Sequence, residues 1–139
     1  MDTTRVGLAT LAGLALLASC RIANLFDTPP TAALAVTPAP FHDSSAAGAA
    51  PHVARLDIAM VGRHGPEPWN AYHSIDVTWL RFGDSSGTAP GTLFFTLDPA
   101  GLDPGTYDDQ IAIVPVDTAL AWVHVRVKFK ILPPPPPPP

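Results

Sequence analysis

The chain has 139 residues, of which 47% are hydrophobic, and its 8 Lys and Arg against 12 Asp and Glu give a formal net charge of −4. This length allows one domain of ordinary size, and the hydrophobic content argues against global disorder. Because no long block of one charge sign appears, we expect neither nucleic acid as a partner nor a membrane contact made by the protein's own charges.

The first predicted element is an export signal. Residues 6–18 (VGLATLAGLALLA) form an apolar run behind a short start that carries Arg5. The run is typical of a secretory signal peptide and is shorter than the ~20 residues that a membrane-spanning helix needs. A buried or amphipathic N-terminal helix is the alternative, but the run has no polar face to turn towards water.

The run ends in Leu17-Ala18-Ser19-Cys20, which resembles a bacterial lipobox: an aliphatic residue and two small residues before a cysteine. The resemblance implies that residues 1–19 are a cleaved signal peptide and that Cys20 becomes a lipid anchor. Its thiol would receive a diacylglyceryl group and its new amine an acyl chain such as palmitate. Two or three chains hold a protein stably at a membrane. The alternative is a chance cysteine beside an ordinary cleavage site.

Residues 20–31 follow as a predicted tether, without periodicity and stiffened by Pro29-Pro30. Arg21 stands where, in the best-known enterobacterial sorting rule, an Asp retains a lipoprotein at the inner membrane. We therefore expect an exported, lipid-anchored protein of the bacterial cell envelope, located at the outer membrane.

Apolar and polar residues then alternate with the period of β-strands. In residues 121–131 (AWVHVRVKFKI), five apolar side chains fall on one face, while Trp122 and His124 fall on the other. Leu56, Ile58 and Met60 share a face in the same way. The predicted strands are 33–37, 54–60, 75–79, 92–97, 110–114 and 121–131.

Turn residues separate these segments at 83–87, 89–91 and 103–105. Short alternating strands between such turns predict an all-β fold, an immunoglobulin-like antiparallel β-sandwich of about 6–8 strands over residues 32–132. The stretch LDPGTY ending at Tyr107 is similar to a tyrosine corner, in which the tyrosine hydroxyl bonds to upstream backbone.

The segment from Val77 to Phe129 resembles the BACON domain, an immunoglobulin-like module of bacterial surface proteins. Trp79-Leu80, the turn at 86–88, Pro104-Gly105-Thr106-Tyr107 and the final valine-rich strand carry the resemblance, which extends over about residues 31–132. It implies structural roles for Trp79 and Tyr107. It also implies either carbohydrate binding, including mucin glycans, or service as a spacer.

Two aromatic groups are candidates for ligand binding, because sugar recognition combines aromatic faces with amide or carboxylate groups. Trp69, Asn70, Tyr72 and His73 lie in the segment 63–74, which we expect to be a loop, and Trp122 with His124 forms the second group. The alternative for Trp69 and Tyr72 is packing over one end of the sandwich, with Trp69 as the first core tryptophan of the BACON resemblance. For Trp122 the alternative is packing against the strand on the anchor side or a place on an exposed edge.

We expect no enzyme, because no set of residues has catalytic spacing. His42-Asp43-Ser44 holds the residue types of a triad on one short segment without the required geometry, and neighbouring Asp108 and Asp109 should point to opposite faces. The five histidines lack a metal-ligand spacing, so no cofactor is expected; the turn at Asp84 fits either Ca²⁺ or a plain turn.

Residues 133–139 are all proline and predict a polyproline II rod, either a spacer or a groove ligand, or else a low-complexity tail. Two hypotheses for the function remain. The first is a lipid-anchored structural or interaction module contacting envelope proteins or polymers. The second is a glycan-binding module that uses the aromatic loop.

Overall fold

The computed structural model describes residues 31–139, which form nine β-strands and no helix. The predicted signal peptide, Cys20 and nearly all of the tether lie outside the described residues. Among those described, no helix is long and apolar enough to cross a membrane. The strands are β1 Ala33–Thr37, β2 Phe41–Ala46, β3 His52–Val61, β4 Glu67–Tyr72, β5 Leu80–Phe82, β6 Ser86–Ala89, β7 Gly91–Leu97, β8 Gly105–Pro115 and β9 Val123–Leu132.

The strands form two sheets. A four-stranded sheet has the order β1-β3-β7-β5, and a five-stranded sheet has the order β2-β9-β8-β4-β6. Every pairing is antiparallel except that of β2 with β9, which is parallel. The prediction of an all-β sandwich is therefore confirmed, with one parallel pair added to an otherwise antiparallel arrangement.

The core lies between the sheets because each long strand turns alternate apolar side chains inward. Trp79 stacks on Phe129 with ring centroids 5.6 Å apart, and Phe41 meets Phe95 edge to face at 5.1 Å. The four-stranded sheet contributes Leu34, Val36, Leu56, Ile58, Leu80, Leu93, Phe95 and Leu97 to the core. The five-stranded sheet contributes Phe41, Trp69, Ala71, Ala89, Ile111, Ile113, Val125, Val127, Phe129 and Ile131.

Five strands lie where the alternation predicts them: β1, β3, β7, β8 and β9. The predicted inward positions of the last strand from residue 125 to 131 are buried, and the faces of β3 and β7 also agree. At the start of β8 the Tyr107 hydroxyl donates a hydrogen bond of 2.9 Å to the Asp103 carbonyl, the contact by which a tyrosine corner is recognised.

The predicted strand at 75–79 is wrong. Ile75 is 95% exposed in a turn that the Val77 amide closes by donating to the Ser74 carbonyl. Trp79 is nevertheless buried, as the segment re-enters the core just before β5. Short-range alternation of apolar residues occurs by chance over five positions, and here no neighbouring strand is in register to use it.

The three-residue β5 is absent from the predicted strands, and three further strands occupy segments expected to be loops or turns. These are β2, β4 and β6, whose polar residues conceal a strand pattern. In β4 the inward set is Glu67, Trp69 and Ala71, and the outward set is Pro68, Asn70 and Tyr72. Because Glu67 faces inward and Tyr72 faces outward, a prediction based on hydrophobicity alone does not identify this strand.

Candidate functional site

The outward surface of the five-stranded sheet carries a concentration of polar and aromatic side chains. We call this surface the outer face. Its members alternate along β9, β8 and β4 with residues that point into the core. The outer face comprises Trp122, His124, Arg126, Lys128, Lys130, Asp108, Gln110, Ala112, Val114, Asn70 and Tyr72.

Strand register places parts of both predicted aromatic groups on this one surface. Tyr72 lies opposite Ala112, and Ala112 lies opposite His124 on the other side. Residues opposite one another in neighbouring strands share a face. The Trp122 and His124 rings are 6.4 Å apart. Trp122 is 61% exposed and Tyr72 is 58% exposed, so both rings are open to a partner.

Trp69 does not belong to the exposed candidates. It is 2% exposed in β4 and packs across β6, where a Cβ at position 87 would overlap its six-membered ring. Gly87 is therefore required for this packing. A side chain enclosed on both sides offers no ring face to a sugar, so the packing alternative describes Trp69.

His73 also leaves the candidate group, because it turns away from the outer face. Its ring meets Phe82 edge to face at 4.9 Å, and its Nδ1 lies 3.4 Å from Oδ2 of Asp109. The Ser74 hydroxyl donates a hydrogen bond of 2.7 Å to Oδ1 of the same carboxylate. The serine proton thus goes to Asp109 and not to His73, so this trio lacks the order of a nucleophilic triad.

A polar depression lies in the middle of the outer face. It has a volume of about 470 Å³, is open to solvent, and is lined by Asp108, Asp109, Gln110, Arg126 and Lys128. Gln110 lies opposite Arg126, and Asp108 lies opposite Lys128. Asp108 is exposed whereas Asp109 is buried, which is the opposed orientation that adjacent strand residues predict.

A second charged cluster joins the loop before β4 to the loop after β8. Glu67 is 3% exposed and accepts hydrogen bonds from the Asp117 amide, at 2.8 Å, and from the Arg63 guanidinium. Arg63 also donates to Asp117 at 2.6 Å. The hydrogen bond from Arg63 lowers the pKa of Asp117, and a second hydrogen bond from the Ala119 amide lowers it further. The bond to Asp117 also raises the pKa of Arg63. We call Arg63, Glu67 and Asp117 the loop clamp.

The loop clamp could not be recognised from sequence, because Arg63 and Asp117 lie 54 residues apart. Nor does the pattern around Glu67 show that its carboxylate is turned inward. In residues 31–139 no group of three or more His, Cys, Asp or Glu side chains is placed to hold a metal ion.

Comparison with known proteins bears on the fold. No protein-family model matches the chain, and no curated protein matches it. Among solved structures, a Bacteroides ovatus GH5 xyloglucanase in complex with a XXXG heptasaccharide aligns with a TM-score of 0.52 and 14% identity, covering 71% of this chain and 19% of that one. A family 123 glycoside hydrolase from Clostridium perfringens aligns at 0.50 and 9%, covering 67% and 23%.

The PapD-like domain 7 of human CEP192 aligns with a TM-score of 0.51 and 11% identity, over 93% of this chain and 100% of that domain. The chain thus spans 19% and 23% of the two hydrolases but the whole of the PapD-like domain. At these identities the likeness shows the fold. The described chain is an immunoglobulin-like β-sandwich.

Proposed function

We propose that the chain is a lipid-anchored protein of the bacterial cell envelope that serves as a structural or interaction module and not as an enzyme. The outer face carries this proposal. It gathers exposed aromatic, cationic and amide side chains from β4, β8 and β9 onto one sheet surface. Tyr72, Trp122 and Arg126 on this surface are of the residue types that are enriched in protein interfaces.

A crosslinking experiment tests this role of the outer face. A photoreactive residue replaces Gln110 at the centre of the face, and a matched variant carries it at Arg55, exposed on the outward side of the other sheet. We expect irradiation of cells to give a discrete adduct from position 110 and none from position 55. Equal adducts from both positions, or none from either, would refute the assignment of the face.

The anchor part of the proposal follows from Leu17-Ala18-Ser19-Cys20, and the proposed location at the outer membrane follows from Arg21 in place of Asp. Labelling with a palmitate analogue, in the wild type and in Cys20→Ser, tests it. We expect label in the membrane fraction of the wild type and none in the variant. Unlabelled wild-type protein released in soluble form would overturn the anchor but leave the outer face untouched.

A second candidate function is glycan binding, favoured by the exposure of Trp122 and Tyr72 on one surface. Exposed aromatic rings stack on the apolar faces of sugars, and Asn70 and Gln110 supply amide groups for hydroxyls. The relevant aromatic pair is thus Tyr72 with Trp122 in place of Tyr72 with Trp69.

The Tyr72→Ala/Trp122→Ala double variant tests this candidate on a glycan array, with Phe94→Ala as control because Phe94 is 53% exposed on the other sheet. We expect lost binding at an unchanged melting temperature in the double variant, and retained binding in Phe94→Ala. Retained binding in the double variant would refute glycan recognition through these rings.

A further inference from the structure

The charges of the domain are unevenly distributed. Residues 31–139 contain 6 Lys and Arg and 10 Asp and Glu, a formal charge of −4. Yet Arg126, Lys128 and Lys130, half of those cations, stand at alternate positions on the outward side of β9. Alternate residues on a strand are about 6.8 Å apart, so the three charges form a row. The outer face is cationic in an otherwise acidic domain.

These three cations are not used to hold the fold together. Among residues 31–139 the ion pairs within 4 Å involve His52, Arg63 and His73, and none involves the row. Lys128 lies directly across from Asp108, but the two form no such pair. The three like charges repel one another along the strand, so their proximity does not itself favour folding. It does create an attractive field for an anion.

Neutral and acidic groups complete the surface beside the row. Asp108 and Gln110 border the depression and can accept hydrogen bonds from hydroxyl groups, which a purely anionic partner lacks. His124 on β9 and Trp122 immediately before the strand continue the same line with exposed side chains. Cations on β9, hydroxyl acceptors on the neighbouring β8 and an exposed ring just before β9 therefore lie on one surface.

We propose that the outer face binds an acidic polysaccharide whose carboxylates pair with Arg126, Lys128 and Lys130. Asp108 and Gln110 accept hydrogen bonds from the sugar hydroxyls, and Trp122 stacks on a sugar ring. Guanidinium and carboxylate groups pair well because their geometries match. This inference rests on the proposed glycan-binding function and names the chemical class of the glycan.

Two polymers with the same sugar backbone, one with free carboxylates and one with methyl esters, provide the test. The full chain carrying Cys20→Ser, so that no lipid anchor contributes, is titrated with polygalacturonate and with its methyl-esterified form. We expect binding to the acid form that weakens as salt is raised, and binding at least about tenfold weaker to the ester.

Two matched double variants then locate the site. Arg126→Gln/Lys128→Gln removes two charges from the outer face, and Arg55→Gln/Arg81→Gln removes two exposed charges from the other sheet. We expect the first variant to bind polygalacturonate at least about tenfold more weakly, and the second to stay within about twofold of the parent. Melting temperatures should be nearly unchanged, because all four side chains lie outside the core and the Arg81 hydrogen bond to the Thr78 carbonyl is exposed.

Several outcomes would overturn the inference. Equal loss in both double variants would mean that binding follows net charge alone. Equal binding of ester and acid would refute recognition of the carboxylate while leaving glycan binding through Tyr72 and Trp122 standing. Tighter binding to phosphatidylglycerol vesicles or to single-stranded oligothymidylate would assign the row to a membrane or to polyanions in general. Absence of binding to polygalacturonate would refute it outright.

Discussion

Trp69 and Trp122 are the same residue type, were both candidates for binding a ligand, and have opposite environments. Trp69 is 2% exposed in β4 and packs across β6, whereas Trp122 is 61% exposed immediately before β9. Successive side chains point to opposite sides of a sheet. Trp69 holds an inward position in β4, whereas Trp122 continues the outward positions of β9 just before that strand begins. An aromatic residue near a proline-rich segment is therefore not evidence of a binding loop until the parity of its strand is known.

The same contrast holds for charge. Arg63 of the loop clamp is satisfied by two carboxylates, while Arg126 on the outer face has no carboxylate within 4 Å among the described residues. A paired arginine stabilises the fold, and an unpaired one on the outer face is available to a partner. Substitutions on each side of this division should separate stability from binding.

The largest expected effect is the loss of stability on replacing the buried tryptophan, Trp69. Trp69→Ala should lower the free energy of unfolding by about 3–5 kcal/mol, because it empties a large core site. Trp122→Ala should stay within about 0.5 kcal/mol of the wild type. Urea unfolding followed by circular dichroism measures both values. Equal destabilisation by the two substitutions would break the distinction between buried and exposed tryptophan.

Glu67→Ala should have the next largest effect, about 2 kcal/mol in the free energy of unfolding. The substitution leaves the Asp117 amide and one arm of the Arg63 guanidinium without their acceptor at a buried position. The same denaturant titration measures the change, and binding of any partner to the outer face should be unaltered. A variant as stable as the wild type would show that the loop clamp is dispensable.

Much of the fold could be predicted because β3, β7, β8 and β9 alternate cleanly over the register that the structure uses. Polar β2 and the mixed β4 could not, since their inward residues include Asp43 and Glu67, whose partners His52, Arg63 and Asp117 come from other segments. Within β4, Trp69 points inward and Tyr72 points outward. The local sequence does not show this difference, because the inward carboxylate of Glu67 interrupts the alternation of apolar and polar residues.

Tyr107→Phe examines a smaller contribution on the stability side. It removes only the hydroxyl that donates to the Asp103 carbonyl and should cost about 1 kcal/mol, the ordinary net value of one hydrogen bond. The ring would keep its contact with Trp79, 6.5 Å away between centroids. Unfolding measurements should show the loss, and outer-face crosslinking through position 110 should continue. No loss of stability would mean that water replaces the corner hydrogen bond without cost.

The smallest expected effect is the dependence on pH of the contribution that Asp117 makes to the free energy of unfolding. Hydrogen bonds from Arg63 and from the Ala119 amide lower the pKa of Asp117 below its ordinary value of 3.8. A carboxyl whose pKa is lowered by folding stabilises the native state above its unfolded pKa, and that contribution disappears as pH falls through the folded value. Asp117→Asn lacks this contribution but keeps an oxygen for the Ala119 amide. The difference in unfolding free energy between wild type and variant should therefore shrink between about pH 5 and about pH 2, and also in high salt, because the pair is solvent-exposed. If the difference did not depend on pH or on salt, the charge of Asp117 would not contribute to the stability of the loop clamp. Glu67 would then be the only carboxylate of the clamp whose charge stabilises Arg63.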